Sequence, residues 1–399
     1  MSRDADKQEF VVVMRSAAVA RFSVDAPPMV LTDFPTAAGP VQLTYRTIHR
    51  DDGLGVSLPR ELWVEARGPA PSLGDAIEKY RDAANSLGVI VSLSANAVVR
   101  PAIVHIAFDN SSGKSEREYY TADIEEEHGI PFSGRLVDVS ATLKLLEAVF
   151  NHPDSSRLHR AIAQYAYAIS YWAPGLELIA VAHLFMSIDT LTKIVLDNQL
   201  EAHELSSNKE LAARLGVEIR QLDAEIRRRY ILGGDVALAN AINDTSNAFE
   251  HGYGAIPALI KKAALLRDKS GQLVRSALVK SAMLDSETEA SLLSPQLIVP
   301  KALFPYTAVL RGKLIGDAQE LASPESEYPL VKWKPKISNA VESMPRRVTM
   351  NLGGEITVAS LASGISFMPT DVEIYGPGDV GELMLVEGKD VSDDSNDVM

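Results

Sequence analysis

The fold of this chain is decided by the stretch SSRLHRAIAQYAYAISYW at residues 155–172. Its large apolar side chains recur at alternating spacings of four and three residues, at Leu158, Ile162, Tyr165, Ile169 and Trp172. This spacing is that of one face of an α-helix, and such a face needs other elements to cover it. The stretch therefore predicts a helix that packs inside a bundle.

Helical patterns continue on both sides of this stretch. A run that is apolar nearly all round follows it from Leu176 to Leu196, with charged or polar interruptions at Glu177, His183, Asp189 and Lys193. These interruptions favour a buried helix of a soluble core over a membrane span. Further helices are predicted at about 139–150, about 208–230, within 237–256, and from Pro257 to about Met283. Together they predict a helical bundle over residues 135–285.

The two flanks have different patterns. Residues 1–134 combine β-rich runs with one helix, which we expect to begin after the cap Ser72 and to end at Gly88. Strands are then predicted at VIVSLS, AIVHIAF and EYYTADI. Residues 286–388 contain the β-rich runs PQLIVP, YTAVLRGKLIG, RRVTMNL, EITVAS and DVEIYG, with a hairpin turn predicted at Gly353-Gly354.

These patterns predict an α+β fold. A central α-helical bundle is flanked by an N-terminal α+β region, residues 1–134, and by a C-terminal β-rich region, residues 286–388. Residues 389–399 are small, polar and acidic, which is typical of a disordered tail. At 399 residues the chain is long enough for two or three domains.

Composition restricts the classes of function. The chain has no cysteine, which excludes disulfides, thiolate metal sites and cysteine nucleophiles. Its net charge of −14 disfavours nucleic-acid binding over the whole surface. Residues 206–280 nevertheless carry more basic than acidic residues, which keeps RNA or a nucleotide open as a partner. The first ten residues have no apolar segment, so we expect a cytoplasmic protein with no membrane partner.

Three short motifs predict neither a cofactor nor a metal. GPGDVG at 376–381 matches the dinucleotide fingerprint, but the chain after it has no room for the required helix and strand, so a tight turn is favoured. The Gly-Lys-Ser within Asp109–Glu116 lacks the earlier glycine of a phosphate loop. EEEH at 125–128 has no partners that would complete a ligand set.

One helix carries an unusual polar face. In ALANAINDTSNAFEHGYGAI, residues 237–256, a step of about 100° per residue puts Leu238, Ile242, Thr245 and Phe249 on one side. The opposite side is a narrow row without lysine or arginine, hereafter the polar stripe, formed by Asn240, Asn243, Asp244, Asn247 and His251. Asparagine inside a helix costs roughly 0.5–0.7 kcal/mol relative to alanine. The stripe is therefore either a functional site or a plain surface or interface.

The bundle together with SNAFEHG resembles the HEPN superfamily. Its ribonuclease members act without metal, typically as dimers, through an arginine, a polar residue and a histidine. By this resemblance Asn247 is the polar residue and His251 the histidine, with Ser246 at the position of the arginine. The resemblance implies that His251 carries protons and that Asn247 positions the substrate.

Ser246 cannot supply the positive charge that stabilises a phosphorane in RNA cleavage. Arg227, Arg228 and Arg229 are the candidates to replace it, or a partner subunit supplies the charge; otherwise these arginines form a solvated helix end. His183 and Asp189 lie on the apolar helix as core hydrogen-bonding groups, or Asp189 orients a histidine such as His251.

Two functional hypotheses follow. The first is a metal-independent, RNA-cleaving or RNA-binding protein of a defence or regulatory system, with His251 and Asn247 as the catalytic residues and Asn240, Asn243, Asp244 and the three arginines as substrate-binding residues. The second is a non-catalytic interaction or assembly module with a degenerate site. There the polar stripe is the seam of a homodimer or the surface that binds another protein. A pocket joining His251 to an arginine would favour the first, and a flat stripe without a nearby cation the second.

Overall fold

The computed structural model has an α+β fold, in which an antiparallel six-stranded sheet is followed by a helical region. This confirms the predicted fold class at that level. The described residues are 8–23, 27–51, 57–111, 116–122, 133–173, 175–302, 307–315, 330–344, 347–359, 366–377 and 383–385. The predicted loop at Asp109–Glu116 lies partly outside them, and EEEH and the acidic tail lie wholly outside them.

The N-terminal sheet has the strand order β3-β4-β5-β1-β6-β7. Its strands are β1 (Gln8–Ser16), β3 (Met29–Thr36), β4 (Gly39–Asp51), β5 (Ser57–Ala70), β6 (Ile103–Asp109) and β7 (Tyr119–Thr121), while β2 (Ala20–Arg21) lies outside it. All its neighbouring strands are antiparallel. Five consecutive residues of β1 are buried, because this strand lies inside the sheet and is covered by other elements.

The first helix, α1 (Leu73–Ala95), begins where the sequence predicts and ends later. The Ser72 side chain accepts a hydrogen bond from the backbone N–H of Asp75, as expected of a cap. The predicted stop at Gly88 is wrong, and so is the predicted strand VIVSLS, which forms the last turns of α1. These turns are almost entirely buried, so their β-branched residues pack as part of a helix. The helix ends at Asn96, which has a left-handed backbone with φ 46°.

Eight helices follow in the described part of the chain between 133 and 302. They are α2 (Val139–Asn151), α3 (Ser155–Ser170), α4 (Glu177–Ala202), α5 (Asn208–Leu215), α6 (Leu222–Ile226), α7 (Val236–Glu250), α8 (Ile256–Ser281) and α9 (Ser286–Leu292). A single π-helical turn, Arg227–Ile231, continues α6. The central helix α4 contacts α3, α7 and α8, as its apolar composition predicts.

The helix α4 is long and apolar enough to cross a membrane by length and composition alone. In this fold, however, 56% of its most apolar window is buried against the rest of the protein. A core helix of a folded domain passes the same test of length and composition. The cytoplasmic location of the protein stays a prediction.

One continuous hydrophobic core crosses the predicted boundary at 134/135. It includes Phe10 and Leu43 of the sheet, Leu87 of α1, Tyr165 of α3 and Leu278 of α8. The boundary therefore separates a sheet-containing part from a helical part without separating two cores.

The packing of α8 on Trp172 leaves no room for a side chain at Gly271. A Cβ added there would overlap the Trp172 ring, and Gly271 and Trp172 are both buried. We therefore expect Gly271→Ala to lower the free energy of unfolding by about 1–3 kcal/mol through overpacking. Denaturant unfolding measures this change. The matched control is Gly74→Ala in α1, where the added Cβ has only the Ser72 Oγ within 4 Å, at 3.8 Å. Equal effects of the two substitutions would contradict the packing described here.

Further strands follow residue 302 in the described part of the chain. They are β9 (Thr307–Ile315), β10 (Leu330–Met344), β11 (Arg347–Ala359), β12 (Ser366–Pro377) and β13 (Leu383–Leu385). β11 pairs with β8 (Ser133–Leu136), which in turn pairs with β2. The predicted hairpin turn at Gly353-Gly354 is wrong, because both glycines lie inside β11. The predicted strand PQLIVP is also wrong, since it begins with a 3-10 turn, Pro295–Leu297. The β-rich C-terminal region over residues 286–388 stays a prediction.

Candidate functional site

The polar stripe lies on the exposed face of α7. The Asp235 side chain caps this helix by accepting a hydrogen bond from the backbone N–H of Leu238, at 2.9 Å. All five members of the stripe are exposed, whereas Leu238, Ile242 and Thr245 on the opposite side are buried. The periodicity of the sequence therefore predicts the orientation of the helix correctly. Phe249 is the exception on the apolar side, with 38% of its surface exposed near the end of the helix.

His251 closes α7 and has a ring neighbour. Its backbone N–H donates to the carbonyl oxygen of Asn247, and its imidazole lies 5.8 Å from the Tyr253 ring, measured between centroids. Within the described part of the chain, no hydrogen bond or ion pair joins His251 to an arginine. The arrangement therefore gives His251 no cation that would stabilise a charged transition state with it.

Arg227 is bound to α4. Its Nη2 donates to Asp189 Oδ1 at 2.5 Å, and its Nε donates to Thr192 Oγ1 at 3.0 Å. The guanidinium also lies over the Phe185 ring, 5.8 Å from the centroid. Arg227 therefore holds the π-helical turn against α4, and the expectation that it serves the stripe gains no support from these contacts.

Arg228 and Arg229 share one carboxylate. Arg228 donates from Nη2 and Nε to the two oxygens of Glu225, at 2.5 and 2.9 Å, and Arg229 Nε donates to the same side chain. These hydrogen bonds, with that from Arg228 first, hold the pKa of Glu225 below its usual value. The three-arginine run is therefore neither a freely solvated helix end nor a set of free cations.

Ser246 occupies the position of the family's arginine. Only 1% of its surface is exposed, and its Oγ donates to Glu250 Oε1 at 2.8 Å. A serine here is directed into the packed side of α7, whereas His251 is exposed. The structure thus brings the stripe residues together on one face and leaves the three arginines elsewhere.

His183 and Asp189 of α4 each contact a side chain of a neighbouring element. His183 Nδ1 lies 2.9 Å from Gln164 Oε1, and its ring stacks on Tyr171 with centroids 5.6 Å apart. Burial lowers the pKa of His183, which favours the neutral ring. Asp189 is not a core residue, since 61% of its side chain is exposed. Its partner is Arg227, so the predicted orientation of His251 by Asp189 is wrong.

A cavity of about 450 Å³ lies away from α7, between the N-terminal sheet, α1 and α3. Its lining comes from distant segments of the chain that pack together only in the fold, so local sequence patterns do not predict it. The Arg100-Pro101 pair in the connection between α1 and β6 is its main sequence signal: a cation beside a rigid residue in a short loop.

Comparison with known proteins adds no family: no family model, no curated protein and no solved structure matches this chain. The resemblance to the HEPN superfamily therefore stays a prediction.

Proposed function

We propose that this protein is a non-catalytic interaction module that forms a homodimer through the polar stripe. The observation that carries the proposal is the exposed stripe itself, which is uncharged apart from Asp244 and the ionisable His251 and has no arginine bound to it among the described residues. A flat row of this kind suits recognition of another surface better than the stabilisation of a charged transition state. The proposal keeps the three-part organisation of the chain and the HEPN-like bundle. In that bundle the site that resembles a ribonuclease site is degenerate and does not cleave RNA.

Asparagine makes the stripe self-complementary. Its side chain both donates and accepts hydrogen bonds, so a row of asparagines can pair with its own copy across a two-fold axis. A row of lysines or glutamates would instead repel its copy. This property favours a second copy of the chain over a charged partner such as RNA.

The spacing of the stripe defines an antiparallel register. Two copies of α7 can lie antiparallel with their exposed faces in contact and the two-fold axis level with the midpoint of Thr245 and Ser246 along the helix. Asn240 of one copy then faces His251 of the other. In the same register Asp244 faces Asn247, so an amide can donate to a carboxylate. Asn240, Asp244, Asn247 and His251 thus each meet a group that can pair with them, whereas Asn243 lies opposite Ala248.

The ends of the stripe add apolar contact. Val236 and Tyr253 are 53% and 67% exposed and lie at opposite ends of the stripe. The antiparallel register places Tyr253 of one copy near Val236 of the other. One pair of 15-residue helices buries less surface area than a standard interface of roughly 1,600 Å². We therefore expect a dimer that dissociates on dilution.

Sedimentation equilibrium of the full chain tests the proposal. The double variant Asn243→Asp/Asn247→Asp places the new carboxylate at position 247 opposite Asp244 of the other copy, so like charges meet across the seam, and we expect it to raise the dimer dissociation constant on the order of tenfold or more. Both positions are exposed on α7, so the fold should be retained. The matched control is Asn151→Asp/Gln296→Asp, which adds the same charge at exposed positions on other elements. A wild-type monomer at all concentrations, or a dimer unaffected by the α7 variant, would refute the proposal.

An RNA-cleavage assay in the presence of a chelator tests the rival hypothesis of a metal-independent ribonuclease. We expect no cleavage by the wild-type protein or by His251→Ala. Cleavage by the wild type that is lost in His251→Ala would instead establish a metal-independent ribonuclease. In that event a replacement for the missing arginine would have to come from the second copy or a partner.

A further inference from the structure

The cavity of about 450 Å³ lies between two layers of the fold and is open to solvent on one side. The inner face of the sheet contributes Tyr45 of β4 with Leu62 and Val64 of β5. The other side is formed by α1, by α3 and by the connection between α1 and β6, which runs through Arg100. A volume of this size lies in the range of small-molecule sites, which bury mostly apolar ligand surface and orient it with a few polar groups.

Arg100 is the cationic group of this cavity. Its guanidinium makes no hydrogen bond or ion pair with the described residues, and its Nε is buried without a partner. A buried, unpaired donor on a charged group costs free energy, so such groups are normally paired. The two terminal nitrogens are not among the buried atoms, and a carboxylate can accept a hydrogen bond from each of them together.

The backbone around Arg100 is fixed before any ligand arrives. The Arg100 N–H donates to the carbonyl oxygen of Ala17 at 2.9 Å, and Ser16 Oγ donates to the Arg100 carbonyl oxygen at 2.5 Å. Two residues later, the N–H of Ala102 donates to Asn85 Oδ1 on α1 at 2.8 Å. The loop is thus held from both sides, and a preorganised cation loses little freedom when it binds an anion.

Most other polar groups of the lining already have partners. The Tyr45 hydroxyl donates to the Ala84 carbonyl oxygen at 2.5 Å. The ring Nε2 of His159 lies 3.0 Å from the Ser86 carbonyl oxygen, and Ser170 Oγ donates within α3. Asp82 is exposed on α1, where water screens its charge. Arg100 is therefore the charged group in this lining that is free to bind a ligand.

We propose that this cavity binds a small organic carboxylate with an apolar body. The carboxylate pairs with the Arg100 guanidinium, and the apolar body packs against Val89, Val99 and the Tyr167 ring, which keep accessible surface. A bare anion would leave that apolar lining unfilled, whereas a neutral apolar molecule would leave the guanidinium unpaired. The site is independent of the polar stripe on α7.

A ligand titration followed by saturation-transfer NMR tests this proposal with phenylpropionate as the probe. We expect phenylpropionate to bind the full chain, and its neutral analogue phenylpropanol and inorganic phosphate to bind at least about tenfold more weakly, because each lacks one of the two interactions. Arg100→Met is expected to weaken phenylpropionate on the order of tenfold or more. Arg81→Met is the matched control, since Arg81 is exposed on α1 and lies outside the cavity lining.

A second variant separates binding from folding. Ala163→Phe fills the cavity from α3 without removing a charge, and it is expected to abolish binding while thermal unfolding shows that the fold remains. The proposal is overturned if phenylpropionate does not bind the wild type. It is equally overturned if Arg100→Met and Arg81→Met bind alike, or if phenylpropanol binds as tightly as phenylpropionate.

Discussion

Replacing Asn96 with alanine is expected to lower the free energy of unfolding by about 3–6 kcal/mol. The side chain is completely buried at the end of α1 and connects three parts of the fold. Its Nδ2 donates to the carbonyl oxygens of Leu297 and Ile298, at 2.6 and 3.2 Å, and its Oδ1 accepts from the Tyr165 hydroxyl at 2.7 Å. Alanine removes all three hydrogen bonds and leaves the buried Leu297 carbonyl oxygen and Tyr165 hydroxyl unpaired.

The backbone of Asn96 adds to this cost. Its φ of 46° lies in the left-handed region, which asparagine tolerates better than alanine. Chemical denaturation of the variant measures the change. Tyr165→Phe is the matched comparison, because it deletes only the hydroxyl that donates to Asn96, and about 1–2 kcal/mol is expected. If Asn96→Ala lowers the free energy of unfolding by less than about 1 kcal/mol, the three hydrogen bonds of Asn96 do not hold these elements together as described.

The second large effect is expected at Arg275, which is buried in α8. Its Nη2 donates to the carbonyl oxygens of Leu93, Ser94 and Leu292, at 3.2, 3.2 and 2.6 Å. These oxygens belong to the last turns of α1 and α9, so one guanidinium neutralises the negative ends of two helix dipoles. Arg275→Met is expected to lower the free energy of unfolding by about 3–5 kcal/mol, because the carbonyls lose their donor in a buried site.

Lys280→Met is the control for Arg275→Met. Lys280 lies in the same helix and is exposed, so its loss is expected to change stability by less than about 0.5 kcal/mol. Parallel denaturant titrations compare the two variants. If Arg275→Met proves no more destabilising than Lys280→Met, the two helix ends are not held as described.

The helices of this fold can be predicted from the sequence because the patterns that indicate them lie in neighbouring residues. The four-and-three spacing in α3 and the continuous apolar run of α4 depend on neighbouring residues, and the structure confirms both helices. Gly88 misled the prediction for a non-local reason. Glycine and β-branched residues disfavour a helix in isolation, yet burial of the last turns of α1 against the rest of the core outweighs that preference.

The candidate sites also combine features that local sequence predicts with features that depend on the fold. The orientation of the polar stripe follows from helical periodicity, and the structure confirms that all five residues are exposed. The partner of Arg227 does not follow from any local pattern, because Asp189 lies 38 residues away. The free guanidinium of Arg100 cannot be predicted from local patterns either, because the sequence does not show which arginines remain unpaired after folding.

Disulfide trapping across the proposed seam is the measurement that tests the central claim most directly. The chain has no cysteine, so single cysteines can be introduced without competing thiols. Two proteins, Asn240→Cys and His251→Cys, are mixed and oxidised, and the antiparallel register brings the two positions together. Two copies of the same position lie about 16 Å apart in that register, well beyond disulfide reach. We predict a cross-linked heterodimer in the mixture and none in either protein alone. No cross-link in the mixture, or an efficient cross-link in one protein alone, would contradict the seam on α7.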